Sequence, residues 1–321
     1  MTGSRIKPLA RPLFSQPWLW SFVGAVAVWL AAITYTGGYG AGGMVSATIA
    51  LAAFSAIVGI AQMFVVTLGP GNVDLSLPAN IGLASAVAMK VMGGDDSMIA
   101  VGLAAAIASG VAIGLANYLL IRLLRIPPII ATLSASFVIQ SIGISYGRGL
   151  QVKPPPGFAA ATSDQVGGVS LLAMAAVAFS VLIALLLHRT AFGRSVAAIG
   201  QNARAARLAG IPVERVRVMT YALSGALGGL CGALLAGYFR GSSLDIGNEY
   251  LLTSIAVVVI GGTSVAGGKA NVTGVWGASL FLVMLLTMLN TFGVSAGVRL
   301  LVTGLVIIAV IVAAGGPRNT R

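Results

Sequence analysis

Long apolar runs, broken by short clusters of glycine, proline and charge, recur along the whole of the 321-residue chain. Read against those breaks, they predict helices at 17–34, 44–68, 75–92, 97–121, 127–146, 168–187, 218–239, 249–263, 272–290 and 297–314. Most of these runs are close to the roughly 20 apolar residues that cross a bilayer as a helix. The first is too long for a signal-peptide core and many more follow it, so it is expected to be a retained span. Two connections are longer than the rest. One, about 147–167, holds Pro154, Pro155 and Pro156; the other, about 188–217, carries six arginines and a single acid, Glu214.

Composition turns these runs into a membrane assignment. Apolar residues make up 58% of the chain and charged residues 8%, whereas a soluble domain carries about a quarter charged. The expected fold is therefore an all-α polytopic membrane protein, with 1–321 forming a single transmembrane domain. A lone cysteine, Cys231, rules out an intrachain disulfide and any cysteine-based metal centre. One histidine and seven carboxylates leave little for acid–base chemistry, and no catalytic or metal-binding residue is expected.

The net charge of +12 is explained by its distribution. With the N-terminus in the cytoplasm, the inner side receives Arg5, Lys7, Arg11, Arg122, Arg125, Arg189, Arg194, Arg204, Arg207, Arg215, Arg217, Lys269, Arg318 and Arg321. The outer side receives Lys90, Arg148, Lys153, Arg240 and Arg299. Fourteen cations against five fit the positive-inside rule, with both termini cytoplasmic. The basic balance is thus topology, and no nucleic-acid partner is expected.

The spans lack what a proton-driven carrier needs, since no Asp, Glu or His falls near the middle of one. A sodium-coupled carrier using carbonyl oxygens, or a passive channel, stays open. The chain does not hydrolyse ATP by itself on this reading. Thr263 to Ala270 resembles a phosphate-binding loop but places Thr263 at the first glycine and Ala270 at the Ser/Thr that would hold magnesium. If transport is driven, the motor is a separate subunit. The basic connection is where it would bind: Asn202 can cap and Gly210 can end two turns of alanine-rich helix. Such a helix is too short to be stable alone, which suits docking into a partner or lying at the interface.

Small residues pervade the spans, and Gly225/Gly229 and Gly228/Gly232 form small-xxx-small pairs suited to close helix packing, within the chain or across a dimer seam. A faint internal echo links the turn Gly69-Pro70-Gly71-Asn72 with Gly261-Gly262-Thr263-Ser264, each followed by a span. The uncharged polar residues Gln62, Asn80, Asn117, Gln140 and Asn290 either line a path or bond neighbouring helices. His188 and Arg189 end a span and suit the interface.

Three blocks carry a resemblance. Phe192-Gly193-Arg194, Ala198-Ile199-Gly200-Gln201-Asn202 and Ala205 to Ile211 resemble the cytoplasmic loop of permease subunits of bacterial importers, driven by ATP-binding cassettes, for ribose and related sugars. Val258 to Ser264 with Gly267-Gly268, and Val73-Asp74-Leu75-Ser76, match two further blocks of that family in order and spacing. The resemblance implies a bacterial inner-membrane subunit of about ten helices, paired with a second copy or a paralogue. It also implies a cytoplasmic ATPase subunit, which carries the ATP and Mg, and a periplasmic sugar-binding protein. The solute is expected to be a monosaccharide, with a nucleoside, a polyol or a furanone-like signal as alternatives.

Residue roles follow. Coupling to the ATPase is expected from Arg194, Asn202, Ala203, Arg204, Ala206, Arg207 and Gly210. The path is expected to use Asn72, Asp74, Ser76, Asn80, Gln140 and Asn290. Asp74 either accepts sugar hydroxyls or caps the helix that follows, and Pro78 alters the loop relative to the family. Tyr146-Gly147-Arg148-Gly149 and Tyr238-Phe239-Arg240-Gly241 share a pattern at two outer span ends. Arg148 and Arg240 there either dock the binding protein or anchor the interface.

Overall fold

The computed structural model describes residues 18–314; the terminal cations Arg5, Lys7, Arg11, Arg318 and Arg321 lie outside the described residues. The helices are α1 (Leu19–Thr36), α2 (Ala41–Thr67), α3 (Leu77–Met92), α4 (Ile99–Leu124), α5 (Pro128–Gly147), α6 (Pro156–Ser163), α7 (Leu171–Arg189), α8 (Ala191–Gln201), α9 (Ala203–Leu208), α10 (Val213–Tyr238), α11 (Tyr250–Ile260), α12 (Val272–Thr291) and α13 (Ala296–Ala314). A two-stranded hairpin, β1 (Gln165–Val166) and β2 (Val169–Ser170), precedes α7. Among the described residues seven helices are long and apolar enough to cross a membrane: α1, α2, α4, α5, α7, α10 and α12. Shorter apolar stretches are Leu77–Met92, Tyr250–Ile260 and Gly297–Ala309.

Helix α2 is the axis of the bundle. It is apolar on every side, and a helix of that kind must be covered all round; it is buried continuously from Ala52 to Thr67. Helices α7, α10, α11 and α12 pack around it. The outer faces of α4, α5, α7 and α13 expose Leu119, Leu123, Val138, Leu182, Leu301 and Leu305, an apolar surface suited to lipid.

Glycines set the closest approach. A Cβ at Gly225 would overlap the carbonyl oxygen of Gly110, and one at Gly229 that of Ala106, so α10 and α4 meet backbone to backbone. The other pair faces α3: a Cβ at Gly228 would lie 2.7 Å from Asn80 Nδ2, and one at Gly232 would overlap the Ile81 carbonyl. Both small-residue pairs are thus used within the chain.

Two expected connections are structured. The stretch 188–217 is almost wholly helical: α7 runs to Arg189, α8 and α9 follow, and α10 begins at Val213, five residues before the expected 218. Arg215 and Arg217 made the first turns of α10 read as loop, yet helical hydrogen bonding already holds there, from Val216 N–H to the Pro212 carbonyl at 3.1 Å. The stretch 147–167 folds into α6, whose Phe158 fills the space beside Gly237, 2.7 Å from where its Cβ would be.

Helix α3 starts deep in the bundle: before it, residues 72–76 run back into the protein and bury Asp74 and Ser76. Before α11, the stretch 241–249 comes from the opposite end, mostly exposed or half-buried, and buries Gly247. They meet where Gly247 lies against Pro78, so closely that a Cβ on Gly247 would overlap the Pro78 carbonyl. This is why α3 and α11 are short: each traverses only part of the bundle, about 24 Å and 16 Å by helical rise.

Candidate functional site

At one end of the bundle two of the sequence blocks, the basic connection and the Gly267-Gly268 turn, meet the turn after α2 through main-chain contacts. Helix α8 is amphipathic, burying Gly193, Val196, Ile199 and Gly200. Its last turn places Gly200 against the end of α2, where a Cβ would overlap the Thr67 carbonyl oxygen. That same oxygen accepts the Gly268 N–H at 2.9 Å. A Cβ on Gly267 would in turn overlap Gly69 and come within 2.9 Å of the Gly200 carbonyl oxygen. Gly267 and Gly268 have φ of 91° and 76°, which only glycine adopts without strain. The turn after α2, the end of α8 and the turn after α11 are thus one knot, with no room for side chains.

Helix α9 projects from this knot. Asn202 Oδ1 accepts the Arg204 and Ala205 N–H groups, each at 3.0 Å, and Gly210, at φ 82°, ends the helix. Both ends are as expected. Arg194, Asn202, Arg204, Arg207 and Gly210 are exposed and Ala203 half-buried. Ala206 differs: it is 5% exposed and joins a core with Val65, Leu68, Val196, Ile199 and Tyr221. The apolar residue that α9 presents outward is Leu208, 85% exposed. Ala206 therefore belongs to the chain's own packing.

From the knot, residues 72–76 lead to a buried polar cluster. Asp74, 3% exposed, accepts at Oδ1 the Ser76 N–H (3.0 Å) and the Ser76 hydroxyl (2.6 Å), and at Oδ2 the Ser224 hydroxyl (3.2 Å). Asn117 donates to Ser76 Oγ at 2.7 Å and to Asp74 at 3.4 Å. Gln62 Oε1 accepts the Asp74 N–H at 3.3 Å, and Thr132 Oγ1 accepts that of Leu75 at 3.1 Å. One short segment is thus tied to α2, α4, α5 and α10. The bond to the Ser76 N–H closes a local turn just ahead of α3. It is not the helix cap expected of Asp74, since Ser76 itself flanks α3, no side chain caps its first turn, and its second residue is Pro78. Asp74 and Ser76 are bonded to the chain rather than open to a solute, and Asn80 is buried, donating to the Gly225 carbonyl at 2.9 Å. Asn72 is half-buried, accepting the Tyr221 hydroxyl at 3.2 Å.

Gln140 lies elsewhere. It is exposed on α5 and lines a cavity of about 240 Å³ with Pro78, Gly82, Ser136, Phe137 and Asn248, where the stretch after α10 meets the start of α3. Asn290 is apart from both groups, accepting from Arg299 at the far end of α12. Arg148 and Arg240 are exposed at the ends of α5 and α10 opposite the knot. The two ends are neighbours, since Leu244, just after α10, lies 3.6 Å from where a Cβ of Gly147 would be. Arg240 has φ 57°. At this same end Asp95 accepts the Ser97 N–H at 2.8 Å, which holds its carboxyl below the usual range.

Sequence reasoning missed Ser224, Thr132, Ser136 and Asn248. Ser224 is 150 residues from the Asp74 it bonds, within a glycine-rich stripe that reads as packing.

Residues 44–311 match the family described as branched-chain amino acid transport system / permease component. The chain is similar to the ribose import permease RbsC of Bacillus subtilis, 35% identical over 260 residues and covering 80% of each chain. It is 33% identical over 250 residues to the autoinducer 2 import permease LsrC of an Enterobacter strain, covering 77% of this chain and 72% of that one. To the L-arabinose permease AraH of Azospirillum brasilense it is 33% identical over 229 residues, covering 68% and 64%. No solved structure matches the chain.

Proposed function

Because the chain belongs to the family of branched-chain amino acid transport system permease components, we propose that it is the membrane-spanning subunit of an ATP-driven monosaccharide importer. It acts as one transmembrane unit in the bacterial inner membrane, with α13, and with α3 and α11 each taken together with the segment that leads into it, completing a ten-span topology and both termini in the cytoplasm. The end bearing α8 and α9 is cytoplasmic: it carries Arg122, Arg125, Arg189, Arg194, Arg204, Arg207, Arg215, Arg217 and Lys269. A cytoplasmic ATPase subunit, which holds ATP and Mg, engages α9. A periplasmic sugar-binding protein delivers solute at the end with Arg148 and Arg240. A second permease, identical or paralogous, completes the path. This chain binds no cofactor of its own.

The observation that carries this reading is the glycine knot. It joins the helices offered to a motor directly to residues 69–76, the segment that enters the bundle and leads to α3. Movement of α8 and α9 therefore reaches the start of α3 and the cavity beside it. That cavity suits a hydroxylated neutral solute: Gln140, Ser136 and Asn248 offer hydrogen bonds, Phe137 and Leu251 offer apolar contact, and no charge lines it.

Reconstitution tests the assignment. Uptake of ribose and arabinose by vesicles is measured with this chain alone, with the ATPase added, and with the binding protein as well. Uptake only with all components and ATP supports the importer; uptake by the chain alone, with or without a sodium gradient, refutes it.

A further inference from the structure

A second, more polar cavity of about 370 Å³ lies at the α8–α9 end, between the last turns of α4 and the first turns of α10. Its wall includes Asn72, Tyr118, Arg122, Glu214, Arg217 and Tyr221. The two tyrosine rings stand 6.0 Å apart between centroids. Glu214 is fully engaged: it pairs with Arg122, accepts the Tyr118 hydroxyl, and accepts Arg207 Nη2 at 3.1 Å from outside the cavity. The Tyr221 hydroxyl is engaged with Asn72.

Arg217 is the exception. Its Nε is buried without a hydrogen-bond partner, and among the described residues it forms no ion pair. A guanidinium always carries its charge, and a buried donor left unpaired costs about 1–3 kcal/mol. The wall holds two cations and one anion, and that anion is already shared between arginines. The wall thus carries one more cation than anion and includes an unpartnered buried donor, Arg217 Nε, at the end where the chain's cations gather.

We propose that this cavity binds a phosphate group, held by Arg217 with Arg122 and bordered by the two tyrosine rings. Guanidinium forks match the oxygens of phosphate in pairs. Two sources supply that chemistry at a cytoplasmic membrane face: the headgroup of an anionic phospholipid, for which basic pockets between helices are suited, and a soluble phosphate monoester. The site is separate from the sugar cavity: none of its lining residues lines that one.

The purified chain is tested in two arms. In the soluble arm, inorganic phosphate and ribose 5-phosphate are titrated by calorimetry against the chain in neutral detergent, with chloride at matched ionic strength as control. In the lipid arm, native mass spectrometry counts phosphatidylglycerol and phosphatidylcholine retained per chain. The wild type should bind a phosphate probe in at least one arm, and which arm identifies the source. Arg217→Gln should weaken that binding about tenfold or more, the usual size of a lost charge-assisted bond. Arg125→Gln, an exposed arginine outside the cavity, should bind as wild type does. Should Arg217→Gln fail to fold, Arg217→Lys carries the test, with affinity reduced severalfold because one ammonium replaces the fork. No phosphate-specific binding by the wild type, or equal binding by the foldable Arg217 variant, overturns the site.

Discussion

Ala206 and Leu208 lie two positions apart on α9 and face opposite ways, Ala206 into the chain's own core and Leu208 outward at 85% exposure. Substitutions at the two positions should therefore fail differently. Leu208→Glu should leave the permease folded, with its melting temperature unchanged, but lose co-purification of the ATPase; loss of an apolar anchor costs about 2 kcal/mol or more at an interface. Ala206→Glu should instead destabilise the permease itself, because a charge enters a packed site. Normal ATPase capture by Leu208→Glu would remove α9 from the interface.

Gly200 allows a second test. Alanine there puts a methyl group onto the Thr67 carbonyl, and neither backbone can yield without moving the other. Overpacking of this kind costs about 1–3 kcal/mol. Gly200→Ala should lower the melting temperature and reduce transport more than ATP hydrolysis. Gly42→Ala, at a glycine with open space around it, should do neither. Equal behaviour of the two variants would show that the knot is not a tight contact.

Asp74 separates a structural carboxylate from a transport one. Its four side-chain bonds all come from neutral donors. Asp74→Asn keeps an acceptor toward Ser76, and the Ser224 hydroxyl can rotate to accept from the new amide. Its stability and sugar uptake should stay near wild type. Asp74→Ala orphans several buried donors, at about 1–3 kcal/mol for each one left unsatisfied, and should fold poorly. If Asp74→Asn is stable and hydrolyses ATP yet moves no sugar, the carboxylate acts on the solute.

Arg148 and Arg240 should act from the opposite face. Exchange of both for Glu should lower the ATPase stimulation given by the binding protein while basal hydrolysis is kept. Raised salt should weaken the wild-type response, since exposed charge pairs are screened within about 10 Å at 0.1 M salt. Unaltered stimulation in the double variant would leave the two arginines as interfacial anchors only.

What could be foreseen from the sequence depended on how local each signal is. The apolar runs foretold ten helices, because lipid and a covered helix both demand apolar side chains, but only seven among the described residues are long and apolar enough to cross a membrane. Asn202 and Gly210 were legible because capping is decided within four residues. The inward turn of Ala206 was not, since two turns made mostly of alanine and arginine show no apolar stripe. The start of α10 was misplaced because hydropathy registers the charge of Arg215 and Arg217 but not the backbone bonds beneath it. The bonds from Asn117 and Ser224 to Asp74 span 43 and 150 residues and leave no local trace.

Main-chain atoms cannot hop between rotamers, and that gives the glycine knot a mechanical character. Side-chain contacts have slack, because a rotamer change can absorb a displacement before it is passed on. Where Gly69, Gly200 and Gly267 meet, the contacts are main chain only and there is nothing to absorb it. The joint behaves as a rigid linkage without backlash, so a displacement of α8 would arrive at residue 69 almost undiminished. Under the importer proposed above, little of each stroke would be wasted, and fuel use should track cargo closely.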